Sequence, residues 1–302
     1  MNGGDDTFTA GNGDGNDTII GSAGNDTVIG GRGNDTTLMG AGNDTFVWNP
    51  GDGSDTVEGG AGIDTLQFNG ANVAENVNIT ANGSRVLFTR DVAGIKMDLN
   101  SVEDINFNAL GGADNITIGD LTGTGTQQVN LDLGANDGAA DTVTINGTAK
   151  NDVITVTENN GVITVSGLSE TVNITDAGAG DKLVINGLGG DDVIQATGLR
   201  GGIQLIANGG DGNDVLIGSP GNDELNGGNG DDILLGGGPQ NVLDGGPGNN
   251  VVLAGAAPRI GAALLSQAMA SNFVPSGSGA GVTSMPDPHA TQQVLAPPQH
   301  TA

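Results

Sequence analysis

Seven aspartates recur near the start of the chain with a spacing that scattered surface carboxylates do not show. Asp6, Asp17, Asp26, Asp35, Asp44, Asp55 and Asp64 follow one another at intervals of 11, 9, 9, 9, 11 and 9 residues. Glycine stands two residues before each, at Gly4, Gly15, Gly24, Gly33, Gly42, Gly53 and Gly62. Two residues after each stand Phe8, Ile19, Val28, Thr37, Phe46, Val57 and Leu66. Thr37 is the one departure, with Leu38 beside it. Carboxylates stacked at a fixed place in successive turns repel one another unless a cation lies between them. Turn carbonyls aimed at the same point complete an oxygen-only site, which suits a hard ion such as calcium.

The elements that position these groups follow from the period. Glycine permits tight turns with positive φ, and an apolar residue alternating with polar neighbours reads as a half-buried strand. One unit is therefore a turn plus a very short strand, and two units of nine make one coil with a turn on each side. Stacked coils place every second aspartate on the same side, about 4.8 Å from the next. This predicts one ladder of Asp6, Asp26, Asp44 and Asp64 and another of Asp17, Asp35 and Asp55, with Asp26 meeting Asp44 and Asp35 meeting Asp17. The strict pattern returns over 208–255: Gly209-Gly210-Asp211-Gly212-Asn213-Asp214, then Asp223, Asp232, Asn241 and Asn250. Leu216, Leu225, Leu234, Leu243 and Val252 fill the apolar column there. Asn keeps an oxygen donor and loses the charge, so metal binding is expected to fade toward this end.

The column pattern G-G-x-G-x-D-x-U-x, with U large and apolar, resembles the nonapeptide of the RTX (repeats-in-toxin) calcium-binding proteins. Gly30-Gly31-Arg32-Gly33-Asn34-Asp35 and Gly59-Gly60-Ala61-Gly62-Ile63-Asp64 match the full turn. The resemblance implies an all-β, right-handed parallel β-roll/β-helix solenoid with several Ca²⁺ ions held between coils, ending in a short helical or disordered C-terminal tail. The implied ligating positions are Gly15, Asp17, Gly24, Asp26, Gly31, Gly33, Asp35, Gly42, Asp44, Gly53, Asp55, Gly60, Gly62, Asp64, Asp192, Gly210, Gly212, Asp214, Gly221, Asp223, Gly228, Gly230 and Asp232. It further implies export by the type I secretion machinery, an extracellular location and folding driven by external calcium.

Four stretches are expected: a calcium-binding roll over 1–70, longer coils over 71–207, a second roll over 208–255 and a tail over 256–302. In the second, a unit of about 75 residues occurs twice, near 64–140 and 141–213: Asp64-Thr65-Leu66-Gln67-Phe68-Asn69-Gly70 matches Asp141-Thr142-Val143-Thr144-Ile145-Asn146-Gly147. Asp114, Asp141, Asp152, Asp181 and Asp192 keep the anchor there without the full turn. Ala256–Phe273 reads as a helix, and the tail as the secretion signal.

Composition narrows the function. The 302 residues carry a formal charge of -28, 57 glycines, no Cys, no Tyr and 2% aromatics. Such a charge repels nucleic acid and anionic lipid. Without Cys there is no disulfide framework and no thiolate metal site. No apolar run of about 18 residues exists to span a membrane, and Met1–Ala10 lacks the basic and apolar regions of a secretory signal. Catalytic materials are scarce: the two histidines, His289 and His300, are both in the tail, and no Gly-x-Ser-x-Gly elbow occurs. Arg85, Arg90 and Lys96 cluster within twelve residues and read as charge balance. A structural or adhesive surface protein, contacting a cell-surface glycan or another copy of itself, is the expected role. The alternatives are a calcium-binding module of a lyase- or epimerase-type polysaccharide enzyme, and an ice-binding solenoid suggested by the Thr that follows most N-terminal anchors.

Overall fold

The computed structural model describes residues 3–10, 15–134 and 138–255. The helix and secretion signal expected in the tail lie outside these residues. The regular structure of the described residues is almost all strand: 25 strands form one sheet of 13 and one of 12. No helix among the described residues is long and apolar enough to cross a membrane.

Successive strands of the N-terminal repeats fall on alternate sheets. Thr7–Thr9, Thr27–Ile29, Thr45–Trp48 and Thr65–Asn69 lie side by side in the first sheet, parallel and in register. Thr18–Ala23, Thr36–Ala41 and Thr56–Ala61 do the same in the second. Thr45 pairs with Thr27 behind it and Thr65 ahead of it. A coil is therefore 18 or 20 residues, and the 11-residue intervals add their two extra residues in a turn without shifting the register.

The residue two places after an anchor points between the sheets from Ile19 onward, while Phe8 in the first coil is exposed. Val28, Phe46, Leu66, Ile105, Val129 and Val172 form one continuous buried column across the first sheet. Its counterpart in the second sheet runs Ile19, Thr37, Val57 and Leu99. Thr37 is fully buried and its hydroxyl has no partner, while Leu38 faces outward, 43% exposed, beside the exposed Ile20. Phase, not hydrophobicity, decides which of the two is buried, because register fixes which face each residue takes. A buried hydroxyl without a hydrogen bond costs about 1–3 kcal/mol. Thr37→Val keeps the shape and removes the polar atom, so it is expected to raise the melting temperature of the calcium-loaded protein.

The central stretch, where longer coils are expected, is not parallel throughout. Its extra length goes into two antiparallel meanders that stay within a sheet. Asn76–Asn82, Arg85–Arg90 and Ile95–Asn100 form one in the second sheet. Val153–Asn159, Val162–Ser166 and Thr171–Thr175 form the other in the first. The seven strands from Thr65–Asn69 to Gln128–Asp132 and the seven from Thr142–Asn146 to Gln204–Asp211 follow the same plan on opposite sheets. With each meander counted as one step, a set has five steps on alternating sheets, an odd number, so the next set starts on the other side.

The first meander gathers the scarce aromatics. Trp48 stacks on Phe68 with ring centroids 4.1 Å apart, Phe68 meets Phe88 at 4.4 Å, and Phe107 lies 5.9 Å from both phenylalanines. Arg90 also points inward, its guanidinium 5.4 Å from the Trp48 ring.

Candidate metal centre

Within a stack, each anchor carboxylate after the first accepts the N–H of the anchor before it. The Asp6 N–H donates to Asp26 Oδ1 at 2.9 Å, Asp26 to Asp44 at 2.7 Å, and Asp44 to Asp64 at 2.9 Å. On the other side Asp17 donates to Asp35 and Asp35 to Asp55, both at 2.8 Å. Asp26 thus meets Asp44, Asp35 meets Asp17, and Asp26 and Asp35 lie at opposite edges of the coil. Further on, Asp152, Asp192, Asp214, Asp232 and Asn250 form one run, and Asp223 donates to Asn241.

The column does not stop in the central stretch. The Asp64 N–H donates to Glu103 Oε2 at 2.9 Å. Glu75 starts a run through Asp114, Asp141 and Asp181. Glu170, 2% exposed, precedes its strand in the same way, and Thr171 pairs with Gln128. Reading only for Asp misses Glu75, Glu103 and Glu170. The signal was present: Val77, Ile105 and Val172 stand two residues after each. A second ladder one residue earlier was also missed. Asn43 donates to Asn25 Oδ1, Ile63 to Asn43 and Ser54 to Asn34, which gives the recurring Asn before Asp a structural use.

The three glycines of a turn serve three purposes. A Cβ at the first would strike the anchor carboxylate: at Gly30 it would lie 2.8 Å from Asp35 Oδ2, and at Gly59 2.7 Å from Asp64 Oδ2. The second is left-handed, with φ of 81° at Gly31, 112° at Gly60, 116° at Gly210 and 105° at Gly228. At the third, a Cβ on Gly33, Gly42, Gly62, Gly212 or Gly230 would collide with the carbonyl of a glycine in the preceding coil, and Gly24 is in the same position against Gly4. Gly53 is equally close to Gly33 O, whereas Gly15 has open space around it. The N–H of Gly221 bonds to Ser219 Oγ at 2.9 Å. Gly212→Ala combines a left-handed residue with a backbone collision. Strain of this kind costs about 1–3 kcal/mol, and a loss of unfolding free energy of that size, read from a lower urea midpoint, is expected.

The electrostatics of the turns fit a cation. Asp35, Asp44, Asp55, Asp64, Asp192, Asp214 and Asp232 are at most 2% exposed, and the Oδ2 of each has no hydrogen-bond partner. Burial pushes Asp55 and Asp214 up to about 7 and Asp64 and Asp192 up to about 6. The ladder N–H opposes the rise and the neighbouring carboxylate adds to it. Burial likewise raises Asp35, Asp44, Asp223 and Asp232. Carbonyls crowd the same space: a Cβ on Gly209 would meet Gly227 O at 2.5 Å as well as Asp214 Oδ2, and one on Gly227 would meet Gly245 O at 2.8 Å as well as Asp232 Oδ2. Among the described residues no three His, Cys, Asp or Glu side chains converge as a metal cluster. Main-chain carbonyls would therefore complete each site, in the all-oxygen environment that calcium accepts.

Comparison with known families agrees with this donor set. The RTX calcium-binding nonapeptide repeat matches the chain in four copies, over 12–46, 51–67, 208–238 and 240–257. No curated protein matches the chain.

Proposed function

We propose that this chain, a calcium-binding β-roll protein built on RTX nonapeptide repeats, folds when it meets extracellular calcium and then serves as a structural or adhesive surface protein without catalytic activity. The observation that carries the reading is the set of buried anchor carboxylates whose second oxygen has no partner. Buried charges must be paired or bound to metal, so a medium poor in calcium leaves the ladders repelling and the chain extended enough for type I export. At millimolar calcium, sites in the range of about 10⁻⁴–10⁻³ M typical of extracellular modules fill, and binding free energy becomes folding free energy. The Gly and Asp positions of the turns are the ligating residues in this reading, with 1–70 and 208–255 as the metal-dependent rolls and 256–302 as the secretion signal.

The adhesive part draws on the outer face of the first sheet. A groove of about 510 Å³ is floored there by Gln67, Asn106, Asn130 and Asn173, with Asp132 and Thr175 at one side. The amides bond to one another across the strands, Asn130 to Asn106 at 2.8 Å and Asn173 to Asn130 at 2.9 Å. Each retains hydrogen-bonding capacity, since an amide offers two donors and two lone pairs. Such a surface suits a hydroxyl-rich glycan. A glycan array probed in calcium, followed by product analysis, tests this. Saturable binding with the glycan intact is expected. Product formation would make the protein an enzyme, and an array with no binding would overturn the glycan role.

A further inference from the structure

The repeat turns differ in what the second oxygen of the anchor does. In the turns of Asp35, Asp44, Asp55, Asp64, Asp192, Asp214 and Asp232 it is buried and has no partner. In every one of these the residue four places earlier is left-handed: φ is 81° at Gly31, 118° at Gly40, 105° at Gly51, 112° at Gly60, 75° at Leu188, 116° at Gly210 and 105° at Gly228. Three other turns lack the left-handed residue, and there the N–H of that same residue reaches the carboxylate. Ser22 donates to Asp26 Oδ2 at 3.2 Å, Thr148 to Asp152 Oδ2 at 2.7 Å, and Ser219 to Asp223 Oδ2 at 2.7 Å. Ser219 adds its hydroxyl to Asp223 Oδ1 at 2.8 Å. A positive φ rotates the N–H away from the carboxylate and leaves the oxygen for something else to satisfy.

Two turns resolve the problem differently. Gly237 and Gly246 are left-handed, with φ of 83° and 69°, but the anchors are Asn241 and Asn250. The ladder fixes the orientation of each amide, because Asn241 Oδ1 accepts from Asp223 N–H and Asn250 Oδ1 from Asp232 N–H, at 2.8 and 2.7 Å. The amide nitrogen must then take the place that Oδ2 takes in aspartate. From there Asn241 Nδ2 donates to Gly238 O at 2.9 Å. Asn250 Nδ2 donates to Gly245 O at 2.8 Å and Gly246 O at 2.9 Å. Aspartate presents an oxygen to the same kind of carbonyls, which leaves oxygen facing oxygen.

We infer that calcium is required only at turns that combine a left-handed residue four places before the anchor with an aspartate anchor, and that in the turns of Asn241 and Asn250 the side-chain amide nitrogen stands where the cation stands elsewhere. The inference rests on calcium occupying the aspartate turns. It removes Asp26 and Asp223 from the metal-requiring positions, since Ser22 and Ser219 satisfy them. It also makes the last coils, over 236–253, independent of metal, so that they hold together on hydrogen bonds and the Leu column when the turns before them are empty.

The test is calcium stoichiometry, measured by equilibrium dialysis on the full chain and on the variants Asn250→Asp and Asp232→Asn. Asn250→Asp is expected to bind about one more Ca²⁺ per chain than the wild type and to lose its final strands in chelator. Asp232→Asn is expected to bind about one fewer and to keep strand protection in hydrogen exchange near 227–235 after chelation. Should Asn250→Asp fail to fold, Asp232→Asn decides the matter alone. Unchanged stoichiometry in a folded variant overturns the inference. A wild-type chain that binds no calcium overturns the underlying reading instead, so the two failures are distinguishable.

Discussion

Metal-free protein at pH 8 is expected to lose the strands of its N-terminal roll and of the turns around Asp214, and to regain them when taken, still metal-free, to about pH 4. The sign follows from the carboxyls. In the fold Asp55 and Asp214 titrate at about 7 and Asp64 and Asp192 at about 6, against an ordinary 3.8 in an unfolded chain. Because the folded values are raised, the folded state binds more protons across this window, and stability falls as pH rises. The contribution of these groups is fully present below about pH 3.8 and is lost as pH climbs through 6 and 7. Keeping one carboxyl such as Asp55 ionised well above its folded value costs about 4 kcal/mol relative to the unfolded chain. A few such groups offset the roughly 5–15 kcal/mol that stabilises an ordinary domain. A proton and a calcium ion are thus alternative ways of neutralising the same oxygen. Circular dichroism of the dialysed protein across pH 4 to 8 checks the prediction, and strand content that rises with pH in the absence of metal would count against it.

The second large effect is at Arg90. Its Nε donates to Glu75 Oε1 at 2.7 Å, its Nη2 bonds to the same oxygen, and its Nη1 donates to Val92 O at 3.2 Å. Arg90 is 4% exposed and Glu75 fully buried. Glu75 heads its ladder, so no preceding anchor supplies an N–H, and the guanidinium takes that role. Breaking a buried pair by removing one partner costs about 3–5 kcal/mol, because the other charge stays buried and uncompensated. Arg90→Met is expected to lower the urea midpoint of the calcium-loaded protein accordingly. The double variant Glu75→Gln with Arg90→Met should recover most of the loss. Trp48, the single tryptophan, lies against Arg90 and reports locally by fluorescence. A single variant no less stable than the double would show that the pair is not what holds this coil.

Much of this architecture was legible in the sequence because the repeat converts spacing into geometry. Asp26 and Asp35 are nine residues apart and must therefore lie on opposite edges, while Asp26 and Asp44 are eighteen apart and must stack. Thr37 could be placed in the core by phase even though Leu38 beside it is the more apolar. The central stretch was harder for two physical reasons. Glu75, Glu103 and Glu170 fill the same column as the aspartates, with one more methylene and without the surrounding glycines. The meanders were signalled only by short turns such as Asn160-Gly161, both left-handed, with φ of 52° and 81°, a two-residue hairpin preference easily taken for another coil corner. The division among the repeat turns was not legible at all. Nothing in the spacing says that Ser22 and Ser219 turn an N–H toward the carboxylate where Gly31 and Gly60 turn it away.

Hydrogen exchange on the full chain, read turn by turn during a calcium titration, tests the central claim most directly. Amides around 30–35, 59–64, 209–214 and 227–232 are expected to gain protection together as calcium rises into the millimolar range typical of extracellular modules, with those of 236–253 changing least. Protection in the aspartate turns that is already complete in chelator, and that calcium leaves unchanged, would contradict the account.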